Sequence, residues 1–498
     1  MTPTAAWTEL QTRLAEINTI SQIASNLSWD QQVMMPIGGG ADRGKQLSML
    51  SGMSHARWNE PGLAEALDAL SGNEASDLQR AAVRNTKRQH KRSTAMPKEL
   101  VQAMSEARSA AFPAWAAAKE SQDYPGFVPH LEKLVALTRE EVAVLQEPGQ
   151  DPYDVLLEPY DPGSTSASLD PMFERLGTEL SSFLQAIQGK PAPGERPKGP
   201  FAIAPQQALH ESLVPALGYD MERGRLDESE HPFTIGMGYG DTRITTHYYE
   251  NDLLPGLGGT IHETGHGLYE QGLPKELRGT GAGQAAGMGL HESQSRFWEN
   301  FIGRSRQFSE WLAPQINAHM GTSLTGPGLY AASNGVKPSL IRIFADEVTY
   351  NLHIVIRYQL ERQLFSGQIE VSHLDQAWAD AYEQKLGVRP AHVGEGVLQD
   401  VHWPQAYYGY FPSYTLGNLY ASSLVKALEK ARPQMWAEVQ KGEFAGILSW
   451  LRENVHQKAH LMDAPDIVNA ACGGQQDHVA DFVDHIWARH GALYGVSR

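Results

Sequence analysis

Apolar residues recur every three or four positions from the start of the chain: Trp7, Leu10, Leu14, Ile17, Ile20, Ile23 and Leu27. This spacing predicts an amphipathic helix with one apolar stripe turned to a core. Comparable stripes run through Leu63 to Leu70, Phe127 to Leu145 and Asp170 to Ile187, the last after a Ser/Thr cluster suited to N-capping. The pattern predicts a mainly α protein. Two stretches interrupt it. Gln188 to Pro205 holds five prolines and three glycines and reads as a surface connection. Phe233 to Tyr249 places Thr234, Ile235, Met237 and Tyr239, then Arg243, Ile244 and Thr245, about Gly240-Asp241, which predicts a β-hairpin.

The chain has 498 residues, 41% hydrophobic and 20% charged, enough apolar material for a large core and too much for a disordered or fibrous protein. Length alone suggests about three domains, yet neither a repeat nor a low-complexity tract divides the chain. Lys and Arg total 41 against 58 Asp and Glu, a formal charge of −17. Such a surface repels phosphate backbones and anionic membranes, so nucleic acid and membrane are not expected partners. No apolar run reaches the ~18 residues of a membrane span, and no basic-then-apolar leader opens the chain. Cys472 is the sole cysteine, which excludes an internal disulfide framework and a Cys-based zinc site and fits a reducing cytosol. A cytoplasmic location is expected. Arg84, Lys87, Arg88, Lys91 and Arg92 share helical spacing and read as a solvated face.

Candidate chemistry centres on His262-Glu263-Thr264-Gly265-His266. On a helix the two imidazoles share a face and can reach one ion, with Glu263 beside them as a general base. A catalytic zinc needs a third protein ligand and an open position. Glu292, in Leu290-His291-Glu292-Ser293-Gln294, is the expected third ligand, with His291 as its rival. A His-only set of the metzincin type would need His where Gly272 stands. His456 and His460 are also four apart, but Gln457 occupies the place of a base, so this pair reads as ordinary helix surface. Gly281 to Ala286 imitates a dinucleotide fingerprint without a preceding strand and reads as a flexible loop joining the two metal-bearing helices. Asp346, Glu347 and His353 read either as outer supports of the metal ligands or as a buried polar network.

Five blocks in order resemble the metallocarboxypeptidases of the carboxypeptidase Taq type, among the gluzincin peptidases. They are His231-Pro232-Phe233, Asp241-Thr242-Arg243-Ile244-Thr245, His262 to His266, His291 to Gln294, and Gly396 to Trp403. Ser28-Trp29-Asp30-Gln31 and Tyr153 to Gly163 look familiar as well, so the likeness covers essentially the whole chain. The resemblance implies removal of single residues from peptide C-termini by metal-activated water, with zinc held by His262, His266 and Glu292 and with Glu263 as base. Cobalt suits the same ligands. It gives Asp241, Arg243 and Thr245 a role at the substrate end, where a guanidinium fork clamps a carboxylate. Arg357 is a second candidate for that carboxylate, against a structural ion pair. His402 and Tyr414, separated by a Gly- and Tyr-rich turn, resemble the oxyanion donors of related helical zinc oligopeptidases, and Tyr407, Tyr408 and Tyr410 of that turn are candidate substrate contacts.

The expected architecture is one catalytic domain over residues 1–498: an elongated helical body with a deep groove, the metal helix at its floor and a small sheet beside it. A helical lid spans about 1–100 and the metal-site core about 205–420. The resemblance also implies a homodimer acting on peptides with free C-termini. The alternatives are an oligopeptidase or dipeptidyl carboxypeptidase with the same metal set, and a peptide-binding protein with a structural metal.

Overall fold

The computed structural model describes residues 1–498 and is mostly helical, with one three-stranded sheet. Helix α1 (Pro3–Val33) starts where the Thr2 side chain accepts the Ala5 amide, and it buries Ala6, Leu10, Leu14, Ile17 and Ile20. Its stripe then reaches the surface, with Ile23 exposed. Steps of three fall short of the 3.6-residue turn, so Ile17, Ile20 and Ile23 rotate progressively off the core face. Helices α2 (Gly40–Trp58), α3 (Pro61–Leu70) and α4 (Asp77–Ala95) follow. Leu63, Ala66, Leu67 and Leu70 of α3 close with α1 and Val83 into a small apolar cluster distinct from the main core. The main core runs from Leu100 to Tyr494 and contains 89 buried residues. The stretch after helix Ser166–Ala186 is irregular until Ile203, as its prolines predict.

The basic residues of α4 are only partly a solvated face: Lys87 and Lys91 are exposed, but Arg84, Arg88 and Arg92 turn inward. Arg88 makes paired bonds to Asp463 at 2.8 and 2.9 Å, Arg92 reaches Glu141 at 2.7 Å, and Asn85 binds the His460 and Gly281 carbonyls. Periodicity located the face but not the acidic partners, which come from distant parts of the chain. The His456/His460 pair also departs from expectation. His456 opens a short 3₁₀ turn, His456–Lys458, and His460 follows in the turn after it; both rings are buried, His456 Nε2 bonded to Gln294 Oε1 at 3.0 Å and His460 Nε2 to Asp463 at 3.2 Å. The Gly281 to Ala286 segment does join the two metal-bearing helices, but it is packed down. Ala282 is fully buried against Ala81 and Ala82 of α4.

The predicted hairpin is present as β2 (Thr234–Gly238) and β3 (Asp241–Thr246), paired antiparallel. A strand that alternation did not reveal, β1 (Gly224–Glu228), adds to the other side of β3 in parallel, giving the order β1-β3-β2. The pleat decides which side chains meet the metal helix, Leu253–Gly272. Thr246 Oγ1 lies 2.7 Å from Thr260 Oγ1 of that helix, and the Ile244 side chain sits against Gly267. Asp241, Arg243 and Thr245 therefore lie on the opposite face.

Candidate metal centre

The metal helix begins where the Asp252 carboxylate accepts the Leu254 amide, and it brings His262 and His266 to one face. A second helix, Met288–Arg296, carries Glu292. Glycines let these helices close on each other. A Cβ on Gly265 would stand 2.6 Å from the Gln294 carbonyl oxygen, and one on Gly417, in helix Pro412–Ala431, 2.5 Å from Glu292 Cγ. Close contact at these glycines, on backbone at Gly265 and on the Glu292 side chain at Gly417, thus sets the spacing of the three elements.

One ligand atom each of His262, His266 and Glu292 lie within 4.8 Å of one another. Glu292 Oε2 is 3.6 Å from His262 Nε2 and 3.3 Å from His266 Nε2. The far ring nitrogens have their own partners: His262 Nδ1 is 2.9 Å from Glu299 Oε2, and His266 Nδ1 is 2.5 Å from His291 Nδ1. A neutral imidazole carries one proton, so a proton on Nδ1 toward Glu299 leaves His262 Nε2 as a lone pair facing the site. His291 is thus an outer support of His266, not the third ligand. Arg296 Nε donates to Glu292 Oε1 at 2.7 Å and Arg296 Nη1 to Glu299 Oε2 at 3.1 Å, which leaves Glu292 Oε2 turned inward. Burial alone would raise Glu299, but Arg296, His262 and Arg304 together pull it down to about 2. Burial lowers His266 to about 3, keeping it neutral. Two imidazole nitrogens and one carboxylate oxygen, each with its lone pair free, suit a borderline-soft divalent metal.

Glu263 is buried beside the two ligands. Its Oε2 accepts the Thr234 hydroxyl at 2.6 Å, and burial raises its pKa above the usual carboxylate value, the direction that suits a general base near neutrality. Thr234 opens β2, and no signal of the motif type singles it out.

His402 and Tyr414 meet, with Nε2 3.4 Å from the phenol oxygen, and Tyr410 packs on both rings with centroids 5.4 and 5.2 Å away. Burial pushes His402 down to about 3, so its imidazole is neutral. Tyr350 joins this cluster to the metal ligands: the Arg296 guanidinium lies 4.5 Å from its ring and Tyr414 6.1 Å. Tyr407 is exposed and Tyr408 is buried in the core.

The cations sort differently from expectation. Arg357 is wholly buried, donating to Asp400 Oδ2 at 2.7 Å, Gln399 Oε1 at 2.8 Å and the His353 carbonyl at 2.8 Å. It is a structural ion pair with no face left for substrate. Arg243 is held by Asp241 at 2.8 and 2.9 Å and stacks on Trp29 of α1, its guanidinium carbon 4.2 Å from the ring centre. It therefore lies on the face of the sheet turned away from Glu263. Thr245 is fully buried, its hydroxyl oxygen accepting the Phe233 amide at 2.8 Å. A cation that motif reading missed, Arg342, shares Asp400 with Arg357, bonds the Tyr350 hydroxyl at 3.1 Å, and stands 4.9 Å from the Tyr414 ring. Its signal in sequence is a lone Arg beside Ile343 and Phe344, both exposed. Asp346 caps its own helix, and Glu347 is buried among His485, Arg489 and His490. Of the two readings these residues allowed, the buried network is the one present.

A sequence profile described as carboxypeptidase Taq (M32) metallopeptidase matches residues 9–490. The thermostable carboxypeptidase 1 of Thermus thermophilus is 39% identical, covering 99% of this chain and 100% of its own, and the carboxypeptidase 1 of Bacillus subtilis is 34% identical over 97% of each. The crystal structure of the M32 carboxypeptidase from Deinococcus radiodurans superposes with a TM-score of 0.94 at 34% identity, covering 99% of this chain and 100% of that one. Its sequence, its fold and the convergence of two histidines and a glutamate on one point make this chain a member of the M32 carboxypeptidase Taq family of metallopeptidases, a peptide hydrolase.

Proposed function

We propose that the chain is a zinc carboxypeptidase that releases single residues from the C-termini of peptides, with Glu263 as general base. The observation that carries this is the metal cluster itself. Each ligand of His262, His266 and Glu292 has an outer partner that turns one lone pair inward, and Glu263 lies beside them. Zinc bound there supplies Lewis acidity toward water and toward the carbonyl oxygen. Glu263 takes a proton from the attacking water as the new C–O bond forms. It returns that proton to the amine nitrogen as the C–N bond breaks. His402 and Tyr414 donate hydrogen bonds to the oxygen on which negative charge develops.

Arg342 is the group we assign to the substrate carboxylate. Arg342 and Arg357 share the single Asp400 carboxylate; both are buried, and of the two only Arg342 keeps any exposure, 8% of its side chain. An anionic chain end supplies the missing countercharge, and it does so in a protein whose net charge of −17 otherwise repels it. Asp241 and Arg243 take a supporting role, fixing the sheet to α1, and Tyr410 lines the wall beside His402. The proposal also takes the chain as one catalytic domain with a lid over about residues 1–100, acting in the cytoplasm as a homodimer, as the family resemblance implies. Light scattering tests the dimer.

Time-resolved mass spectrometry of a defined peptide, with and without chelator, tests the activity. A ladder of single losses from the free C-terminus, abolished by chelator and restored by zinc, is expected. Losses in pairs would replace the proposal with a dipeptidyl carboxypeptidase, and a chelator-insensitive ladder would remove the metal from it.

A further inference from the structure

We propose that Glu361, with Arg357 one helical turn before it, is a positioning residue for His402, a role that rests on the oxyanion function given to His402 above. Glu361 lies wholly buried on helix Glu347–Phe365, and its carboxylate accepts three donors. Trp403 Nε1 reaches Oε1 at 2.7 Å; the Gly409 amide and the Tyr153 hydroxyl reach Oε2 at 2.9 and 2.6 Å. Trp403 directly follows His402, and Gly409 ends the turn before Tyr410. One carboxylate thus ties both ends of the loop. Arg357, on the same helix face at i−4, grips the segment ahead of His402 through Gln399 and Asp400. Residues 399, 400, 403 and 409 are pinned from one helix face, with His402 between them.

The imidazole needs this hold because little bonds it directly. Its Nδ1 is buried without a partner, and its Nε2 has only Tyr414 at 3.4 Å. The loop closes on itself through the Gln405 and Tyr407 amides, which donate to the His402 carbonyl at 3.1 and 2.9 Å, but these bonds hold the backbone and not the imidazole, and Ala406 at φ +55° takes left-handed backbone unfavourable for a residue with a Cβ. Gly409 also sits so close to the Leu156 carbonyl that a Cβ would lie 2.3 Å from its oxygen. A buried carboxylate without water is costly unless its lone pairs are used, and here they are used on the backbone and ring that carry His402.

The test is a double-mutant cycle on the full-length, metal-loaded enzyme, reading kcat and KM on a short peptide together with metal affinity. Glu361→Gln keeps the volume but turns an amide toward a donor. It is expected to lower kcat by about ten-fold or more, with KM and metal affinity changed less than about two-fold. In a His402→Ala background the same change is expected to cost less than about two-fold further. Multiplicative losses, or metal affinity falling with kcat, would overturn the proposal. Full activity of His402→Ala alone would instead remove the function on which it rests. Should Glu361→Gln not fold, Tyr153→Phe removes one donor and takes its place in the cycle, and a kcat loss that persists without His402 overturns the proposal equally.

Discussion

His291 stands against His266 with their Nδ1 atoms 2.5 Å apart, while its own Nε2 lies 3.2 Å from Glu270 Oε1. Glu270 accepts the Nε2 proton of His291, so His291 Nδ1 accepts the proton on His266 Nδ1, and His266 Nε2 is left as the lone pair that faces the site. His291→Phe keeps a ring of similar size but ends this chain. Its metal dissociation constant is expected to rise about 10- to 100-fold, read by competition with a chromophoric chelator. An unchanged affinity would mean that His266 needs no outer acceptor.

Glu263 touches no ligand atom but stands next to the site, so Glu263→Gln separates metal binding from proton transfer. The variant is expected to retain its metal and lose about 10²–10⁴ in kcat. Thr234→Val, which removes the 2.6 Å bond to Glu263 Oε2, should lose less, by about one hydrogen bond's worth of orientation. Metal analysis beside steady-state kinetics decides this, and an active Glu263→Gln would end its role as base.

Two arginines give opposite expectations. Arg342→Ala should cut kcat/KM on peptides with a free C-terminus by roughly 10- to 100-fold, the loss of a charge-assisted bond of about 1.5–3 kcal/mol, and so narrow the preference over amidated peptides. Arg243→Ala should leave that preference alone and loosen α1, because its stacking on Trp29 is worth about 0.5–2 kcal/mol. Hydrogen exchange of α1 reads the second effect. A collapse of the preference in Arg243→Ala would return the carboxylate to that residue.

Acid should destabilise the metal-free fold. Burial holds His210 and His485 at about 4 and His456 at about 3. A histidine lowered in the folded state contributes stability in full above its unfolded value of about 6.5 and loses it as pH falls toward the folded value, at most ~1.4 kcal/mol per pH unit for each. Burial raises Asp161 to about 6 and Glu361 to about 7, and these act in the opposite sense, contributing at low pH and losing stability as pH rises. With His266 and His402, both at about 3, five imidazoles stand against two carboxyls and leave a net loss of about three groups' slope between pH 6 and 4.5. Denaturant midpoints at pH 7, 6 and 5 measure it, and a rising midpoint toward acid would contradict it.

Much of the site was legible because its spacing is local. A His pair at i and i+4 must share a helix face, and the hairpin follows from alternation about Gly240-Asp241. What escaped depends on pairing between distant segments. The sidedness of Arg243 follows from which residues of β3 contact Thr260 and Gly267, and β1 has too little alternation to be seen without its partner. The partners of Arg88, Arg92 and His456 lie far away in sequence, so charge and spacing alone left those residues on the surface. Arg342 sits in a segment without periodicity, and only Asp400 and Tyr414 beside it give it meaning.

The glycines at 265 and 417 bear on how the site receives an ion. Where the Gly265 backbone rests on that of Gln294 and the Glu292 side chain is wedged against Gly417, the three helices have little room to approach one another further. The close approach at these two glycines thus brings three ligand atoms within 4.8 Å of one another through packing of the helices alone, so an ion entering the site would meet donors already gathered.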